Sequence, residues 1–338
     1  MTFIADESKA PDAAELSRRE FNLGLLSGLT AISAGSALQA AVAAQSSGVG
    51  FDVDTSPGAA ASASALKAFG TYIDAFNRSD FDGFSRYYLP DIDFRGRGGT
   101  FAGRDAVLDF YRGVKSKVQE TLTLRGLVVG RRQWVADVVT ELRAQQDWPD
   151  FPTGALKKGD TRRSENFIWY ELEGDKFKRV RSGRHSGNPP VTTAPQPVIV
   201  ADNAQPAFSA EEFAAYMKAF NQDDYASFGD HYTDDVKLVI AGDRALNGRQ
   251  AIFDFYKTVK SQTRRTIQIN RLVTTPGLFA AELQSEFLAL TDLPDFVAGP
   301  MKKDGRIFIN TFVIYELKGG KFWRIRSAEY RKENRGVA

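Results

Sequence analysis

The sequence predicts an α+β protein made of two tandem copies of one domain, each with three helices packed on a curved antiparallel sheet. One observation is a repeat: the stretch Tyr72–Tyr88 recurs 144 positions later as Tyr216–Tyr232. The other is a change of pattern within each copy, where apolar residues first recur at the helical period of 3.6 and then alternate with the strand period of two. Together they predict the same order of elements twice.

The sequence of the first copy predicts three helices, a short strand between the second and third, and four longer strands after them. Apolar residues at helical spacing predict a first helix over Leu66–Asn77, and Asp80 or Ser79 can cap a second helix that ends before Pro90. A short strand at Ile92–Phe94 and a glycine-rich turn lead to a third helix. That helix is predicted over Ala106–Lys117, and the strands that follow over Thr121–Val129, Trp134–Gln145, Glu165–Glu173 and Lys176–Gly183.

The second copy matches these elements throughout. Gly103-Arg104 matches Gly248-Arg249, and Tyr170-Glu171-Leu172 matches Tyr315-Glu316-Leu317, here at a spacing of 145. Matches spread over about 120 residues indicate a duplicated domain, because solenoid repeats have much shorter periods.

The N-terminus predicts a targeting segment. Ser17-Arg18-Arg19-Glu20-Phe21 precedes a weakly apolar run, and small residues near Ala41–Ala44 offer a cleavage site. This segment resembles a twin-arginine export signal, although Asn22 departs from the usual apolar residue; the alternative is an N-terminal amphipathic helix. The resemblance implies the twin-arginine export machinery as a partner and a periplasmic location. The predicted boundaries are residues 1–44 for the signal, 45–63 for a flexible tether, 64–187 for the first domain, 188–207 for a Pro-rich linker and 208–334 for the second domain.

Composition narrows the chemistry. The chain has no cysteine, which excludes disulfides, thiol nucleophiles and cysteine-ligated metals, and its two histidines argue against a multi-histidine metal cage. A formal net charge of +2 gives no argument for nucleic acid. We therefore predict no cofactor, no metal and no nucleic-acid partner.

The order of helices and strands resembles the cone-shaped fold of the nuclear transport factor 2 superfamily, in its SnoaL-like branch. The stretches Tyr72–Gly83 and Gly103–Ala106 are similar to the first and third helices of ketosteroid isomerases. The resemblance covers each repeat almost fully and implies two tandem cones. It says less about activity, because the superfamily includes isomerases, dehydratases, cyclases, lyases and non-enzymatic modules.

The resemblance also places some functional residues. The oxyanion-stabilising tyrosine of the isomerases falls on Tyr72 and Tyr216, and their second oxyanion donor falls near Asn166. Their catalytic base falls on Gly96 and Ile240, neither of which can move a proton. A base must therefore come from elsewhere in the cone.

Charged residues on the predicted strand Trp134–Gln145 are candidates for that base. Asp137, Glu141 and Arg143 share one face by alternation, and Glu286 is the second copy's counterpart of Glu141. If this face points into the cone, it offers a carboxylate–guanidinium pair to a substrate. If it points outward, these are solvated surface charges.

Two further residues could move a proton. Asp93 lies on the first strand, and the second copy has a lysine in its place. His185 lies just past the last strand, where it is either a general base at the cone mouth or an exposed strand end.

These observations lead to one main hypothesis and two alternatives. The main one is a cofactor-independent lyase or isomerase, acting by elimination, dehydration, deformylation or isomerisation on a bulky, aromatic small molecule. The alternatives are a non-catalytic small-molecule-binding protein and a structural module in which the two copies form an intramolecular pseudo-dimer, either alone or within a further homo-oligomer.

Overall fold

The computed structural model of the protein describes residues 50–187, 189 and 196–336. The signal segment predicted at residues 1–44 lies outside these ranges. Within them, no helix is long and apolar enough to cross a membrane.

The first repeat begins with a short strand and a long helix and ends with four long antiparallel strands. Its helices pack on one face of the sheet, here called the inner face. The elements are β1 (Asp52–Thr55), α1 (Ala59–Asn77), α2 (Phe81–Ser85), β2 (Tyr88–Gly96), β3 (Gly99–Ala102), α3 (Arg104–Lys115), β4 (Val118–Val129), β5 (Gln133–Ala144), β6 (Thr161–Glu173) and β7 (Lys176–Ser186).

The second repeat has the same order of elements without a counterpart of β1 among the named strands. Its elements are α4 (Ala210–Asn221), α5 (Tyr225–Gly229), β8 (Tyr232–Ile240), β9 (Arg244–Asn247), α6 (Arg249–Gln262), β10 (Thr263–Thr275), β11 (Leu278–Ala289), β12 (Arg306–Lys318) and β13 (Lys321–Arg335).

Local sequence explains where the helices begin. Asp80 caps α2, because its carboxylate accepts a hydrogen bond from the Gly83 N–H, and Asp224 caps α5 in the same way. Ser209 and Glu212 form a capping box at α4. The second helix ends earlier than predicted, at Ser85, because the chain is already extended as β2 at Pro90.

The predicted flexible tether is ordered in its described part. Residues Asp52–Thr55 form β1, which pairs in parallel with β10 of the second repeat. The buried carboxylate of Asp54 accepts hydrogen bonds from three backbone N–H groups of the β4–β5 turn, at 2.7–3.1 Å. The first helix then begins at Ala59, not at Leu66. The Gly/Ser/Ala-rich composition suggested flexibility, but long-range pairing fixes this segment.

The linker makes the reciprocal contact. Its Ile199 pairs in parallel with Gly126 and exchanges hydrogen bonds with the backbone of Arg125 and Leu127 on β4. The segment before each repeat thus pairs with the sheet of the other repeat. This exchange ties the two repeats together through main-chain hydrogen bonds.

The strands form a large, curved, unclosed sheet in the order β1-β10-β11-β12-β13-β7-β6-β5-β4. The halves join where Arg184 on β7 pairs with Glu329 on β13. The faces that carry no helices, here called the outer faces, bury an interdomain cluster of apolar side chains. The cluster contains Val128, Val135, Phe167, Trp169, Val273, Leu278, Ala280, Phe312, Ile314 and Ala328.

Ion pairs across the same contact are nearly symmetric. Arg326 of β13 bonds Asp137 of β5 and lies 2.9 Å from Glu165 of β6. At the matching positions of the other repeat, the Arg181 guanidinium lies 3.8 Å from Glu282. Burial, and then the Asp137 carboxylate, raise the pKa of Glu165 to about 7.

The sheet junction demands a glycine on one side. A β-carbon on Gly183 would lie 3.0 Å from the carbonyl oxygen of Glu329 and 3.1 Å from that of Ala328. We expect Gly183→Val to force these backbones apart and lower the free energy of unfolding by about 1–3 kcal/mol, as measured by chemical denaturation. Gly113→Ala is the matched control: nothing lies within 4 Å of its added β-carbon, and it should keep or slightly raise stability. Equal stability of the Gly183→Val and Gly113→Ala proteins would contradict this account of the junction.

Candidate functional site

The inner face of the first repeat holds a group of buried tyrosines. Tyr72 on α1 and Tyr88 on β2 share a hydrogen bond of 2.8 Å between their hydroxyl oxygens. Burial raises the pKa of Tyr72 to about 12, although its hydrogen bonds to Tyr88 and Tyr170 oppose the rise. These phenols therefore stay protonated and can donate hydrogen bonds inside the cone.

A carboxylate lies on the same inner face. Along β4, Val118 and Leu122 point into the apolar core, and alternation puts Glu120 on their side of the strand. Glu120 keeps part of its surface open to solvent. Burial raises its pKa to about 7, and Lys115 opposes this only in part. Near neutral pH such a carboxyl can both accept and release a proton.

Two neighbours complete the surroundings of Glu120. The Lys115 ammonium donates to the carbonyl oxygens of Phe76, at 2.7 Å, and of Glu120, at 3.1 Å, and burial lowers its pKa to about 8. Burial and then the charge of Glu120 raise the pKa of Tyr111. Glu120 thus interacts with a cation and with the tyrosine group.

Asn166 also lies on the inner face. It is buried, and its side-chain N–H₂ donates to the hydroxyls of Thr140, at 3.1 Å, and Ser164, at 3.0 Å. Of the sequence-predicted site residues in the first repeat, Tyr72 and Asn166 are the two that share the interior of the cone.

The second repeat keeps the tyrosines but inverts the charge. Tyr216 and Tyr232 share a hydroxyl hydrogen bond of 2.8 Å, and burial raises the pKa of Tyr216. At the position of Glu120 stands Arg265, whose guanidinium carbon lies 5.2 Å from the ring centre of Tyr256. A permanent cation replaces the carboxyl, so this cone lacks a proton acceptor at that place.

The predicted base Asp93 forms ion pairs with two arginines. Its carboxylate lies 3.1 Å from the guanidinium of Arg95 and 3.0 Å from that of Arg179. Burial acts to raise its pKa, but these hydrogen bonds outweigh burial and lower it. An anion held in this way is a poor base near neutral pH.

The predicted charged face of β5 is the outer one, so these residues do not meet Tyr72. Glu141 pairs with Arg163, and Glu286 pairs with Arg306. Arg143 is exposed at the end of β5. The face is not simply solvated, however, because its Asp137 is fully buried against the other repeat.

His185 lies between the repeats and not at a cone mouth. Its ring stacks on Phe167, with centres 5.0 Å apart, and its Nδ1–H donates to the Ser327 carbonyl at 2.7 Å. Burial lowers its pKa. At the matching position, Tyr330 stacks on Phe312 and donates to Glu282 at 2.5 Å.

The residue that sequence reasoning missed is Glu120. The predicted strand began at Thr121, three residues after the observed start at Val118, which excluded Glu120 from the alternation argument. A strand extended to Val118 would have placed a charged residue between two inward apolar ones. In the described part of the chain, no group of three or more His, Asp or Glu residues could hold a metal ion.

A comparison with family models gives the relationship. A model described as a SnoaL-like domain matches residues 69–180 and again residues 213–325. The chain belongs to the SnoaL-like family. The predicted fold, two tandem cone-shaped domains of the nuclear transport factor 2-like type, is thereby confirmed. No curated protein matches the chain.

The solved structures named here each match about a third of this SnoaL-like protein. A SnoaL-like polyketide cyclase from Agrobacterium tumefaciens is 18% identical, with 35% of this chain and 87% of that chain covered and a TM-score of 0.29. TsrD from Streptomyces laurentii is 19% identical over 36% and 88%, with a TM-score of 0.31. A LEH-like epoxide hydrolase from M. tuberculosis is 12% identical over 35% and 78%, with a TM-score of 0.29.

The raised pKa of Glu120 predicts a pH-dependent stability difference. Its folded-state pKa of about 7 lies above the unfolded value near 4.5, so ionisation destabilises the native state as pH rises through this window. Relative to the native protein, Glu120→Gln should gain stability from pH 4.5 to 7, reaching at most about 3 kcal/mol. Chemical denaturation at a series of pH values measures this.

The control for that measurement is Glu141→Gln, which removes the partly exposed pair with Arg163. It should lose less than about 1 kcal/mol. A Glu120→Gln protein whose stability follows the native protein at every pH would contradict the raised pKa.

Proposed function

We propose that the first repeat is a cofactor-independent acid–base catalyst, a lyase or isomerase, and that Glu120 is its proton-transferring group. The observation that carries the proposal is the position of Glu120 on the inner face of the cone, beside Lys115, where burial raises the pKa of its carboxyl to about 7. Membership of a family built around a small-molecule cavity supports a small-molecule substrate. The aromatic side chains packed around Tyr72 favour a bulky, aromatic one.

The neighbouring groups have matching roles in this proposal. As a carboxylate, Glu120 abstracts a proton from carbon or oxygen of the substrate, and as a carboxylic acid it returns one. Tyr111 and the tyrosine pair Tyr72–Tyr88 supply neutral donors for the negative charge that develops. Lys115 holds a positive charge near Glu120, which favours its ionised form.

The second repeat acts as a structural partner in this proposal. Arg265 in the place of Glu120 leaves its cone without a carboxyl there. Its outer face completes the buried contact with the catalytic repeat. The duplication therefore provides a pseudo-dimer within one chain.

A non-catalytic binding protein is the second candidate. The observation that favours it is that the hydroxyls of Tyr72 and Tyr216 are already paired, with Tyr88 and Tyr232 respectively. Hydroxyls paired with each other leave fewer free donors for the negative charge that a reaction develops, so such a cone can hold a ligand without turning it over. Substrate turnover separates the two candidates.

Turnover of aromatic substrates tests the catalytic role. The panel contains a β-hydroxy ketone for elimination of water, an aryl ketone with a hydroxymethyl group on its α-carbon for deformylation by retro-aldol release of formaldehyde, and a β,γ-unsaturated ketone for isomerisation. We expect Glu120→Gln to lower kcat about 100-fold or more, the usual contribution of general acid–base catalysis. For the native protein, kcat should rise with pH through about 7 if Glu120 acts as the base.

Glu141→Gln is the matched control, because it removes a carboxyl on the outer face of the neighbouring strand, and its kcat should equal that of the native protein. Undiminished turnover in Glu120→Gln would refute the assignment. A native protein that binds members of the panel without turnover would favour the binding candidate instead.

We further propose export by the twin-arginine route to the periplasm, supported by Ser17-Arg18-Arg19-Glu20-Phe21 and the weakly apolar run behind it. Replacing Arg18 and Arg19 by lysine keeps the charge but removes the guanidinium pair. In a bacterial host with this pathway, we expect the double variant to remain in the cytoplasm while the native chain reaches the periplasm. Fractionation and immunoblotting measure this, and equal periplasmic amounts would disprove the route.

A further inference from the structure

A cavity of about 690 Å³ lies at one end of the first repeat, between the first half of α1 and the turns after β4 and β6. Its volume is in the range of small-molecule sites. Glu120 is not among its lining residues, so it is separate from the proposed catalytic group. We propose that this cavity binds a planar aromatic anion, such as an aromatic carboxylate.

The second repeat indicates what fits there, because it fills the equivalent place with its own side chain. Phe208, just before α4, stacks on Phe279 with ring centres 5.3 Å apart and planes 9° from parallel. It also meets the edge of His231 at 5.5 Å. Its carbonyl oxygen accepts a hydrogen bond from the Thr274 hydroxyl at 2.5 Å, which fixes the segment.

The first repeat keeps the aromatic residues around this site but lacks a counterpart of the Phe208 ring, here called the plug. Trp134 and Tyr87 occupy the positions of Phe279 and His231, and both line the cavity. Ser64 occupies the position of Phe208 and is exposed. A serine has no ring to cover the indole, so the space that a phenyl ring fills in one repeat is open in the other.

The cause lies in the helices. In the first repeat α1 begins at Ala59 and passes the cavity with alanine and serine side chains. In the second repeat α4 begins only at Ala210, which leaves Phe208 on an extended segment that can fold under the sheet. The difference in helix length thus decides whether the site is plugged.

The charge of the rim indicates an anion. Arg86, Arg131 and Lys176 line the cavity together with one carboxylate, Asp175. This leaves an excess of two positive charges around an aromatic floor. A guanidinium or ammonium at the edge of such a site suits a carboxylate or sulfonate on the ring system.

The positive rim belongs to the first repeat alone. The equivalent positions of the second repeat are Asp230, Pro276, Lys321 and Gly320. That set carries no excess positive charge, in keeping with a site that is filled internally by Phe208. The positive rim and the open cavity therefore occur together in the first repeat, and the second repeat has neither at the equivalent place.

The test titrates 2-naphthoate, as the probe, into the full chain and measures its binding by isothermal titration calorimetry. Two further probes separate the contributions: 2-naphthamide is planar but neutral, and cyclohexanecarboxylate is an anion without an aromatic ring. We expect saturable binding of 2-naphthoate, with at least tenfold weaker binding of the other two. Binding of all three with equal affinity, or of none, would overturn the proposal.

Variants then locate the site. Ser64→Phe copies the plug of the second repeat and should abolish 2-naphthoate binding, with a melting temperature equal to or above that of the native protein. Arg131→Gln should weaken binding about tenfold and leaves the packing unchanged, so it tests the site even if Ser64→Phe fails to fold. Undiminished binding in Arg131→Gln together with undiminished binding in a folded Ser64→Phe would refute this location.

Glu120→Gln is the matched control, because it changes the proposed catalytic group and not this cavity. It should bind 2-naphthoate as the native protein does. Loss of binding in Glu120→Gln would mean that the probe occupies the catalytic cone and would overturn the proposal of a separate site. Because binding is measured without turnover, failure of this proposal and failure of the catalytic one give different results.

Discussion

The two outer sheet faces bury each other, and the ion pair between Arg326 and Asp137 lies inside that contact. A guanidinium and a carboxylate so deeply buried need each other, because removing one partner of such a pair leaves an unpaired charge at a cost of about 3–5 kcal/mol. The same contact holds the stacked rings of Phe167 and His185. Each repeat thus uses one sheet face for the other repeat and keeps its inner face for its own cone.

This division of faces explains how the two repeats diverged. The outer faces are constrained together, and their charged positions stay complementary in Arg181 with Glu282 as in Arg326 with Asp137. The interiors carry no such mutual constraint. There the carboxyl of Glu120 is an arginine in the second copy, and the open cavity beside Ser64 is filled by Phe208.

The candidate site was predictable in part. Tyr72 and Asn166 lie inside the cone as the family resemblance implied, because the apolar period of α1 and the alternation of β6 are local properties. The charged face of β5 could not be assigned, since alternation says which residues share a face and not what the face meets. Glu120 was not predicted because it lies near the start of its strand, and a sequence defines the ends of helices and strands least precisely.

The sequence by itself determined the duplication, the order of helices and strands, and the cone fold of each repeat. The duplication and the order of elements follow from periodicity and from matched residues such as those around Tyr72 and Tyr216, and the cone fold follows from the resemblance to the SnoaL-like family. The tertiary structure alone decided that the outer faces pack together, that the segment at Asp54 is a strand and not a tether, and that Glu120 has a pKa of about 7. The physical reason is that pairing between distant strands and burial of a charge depend on neighbours far away in the chain, which no local pattern records.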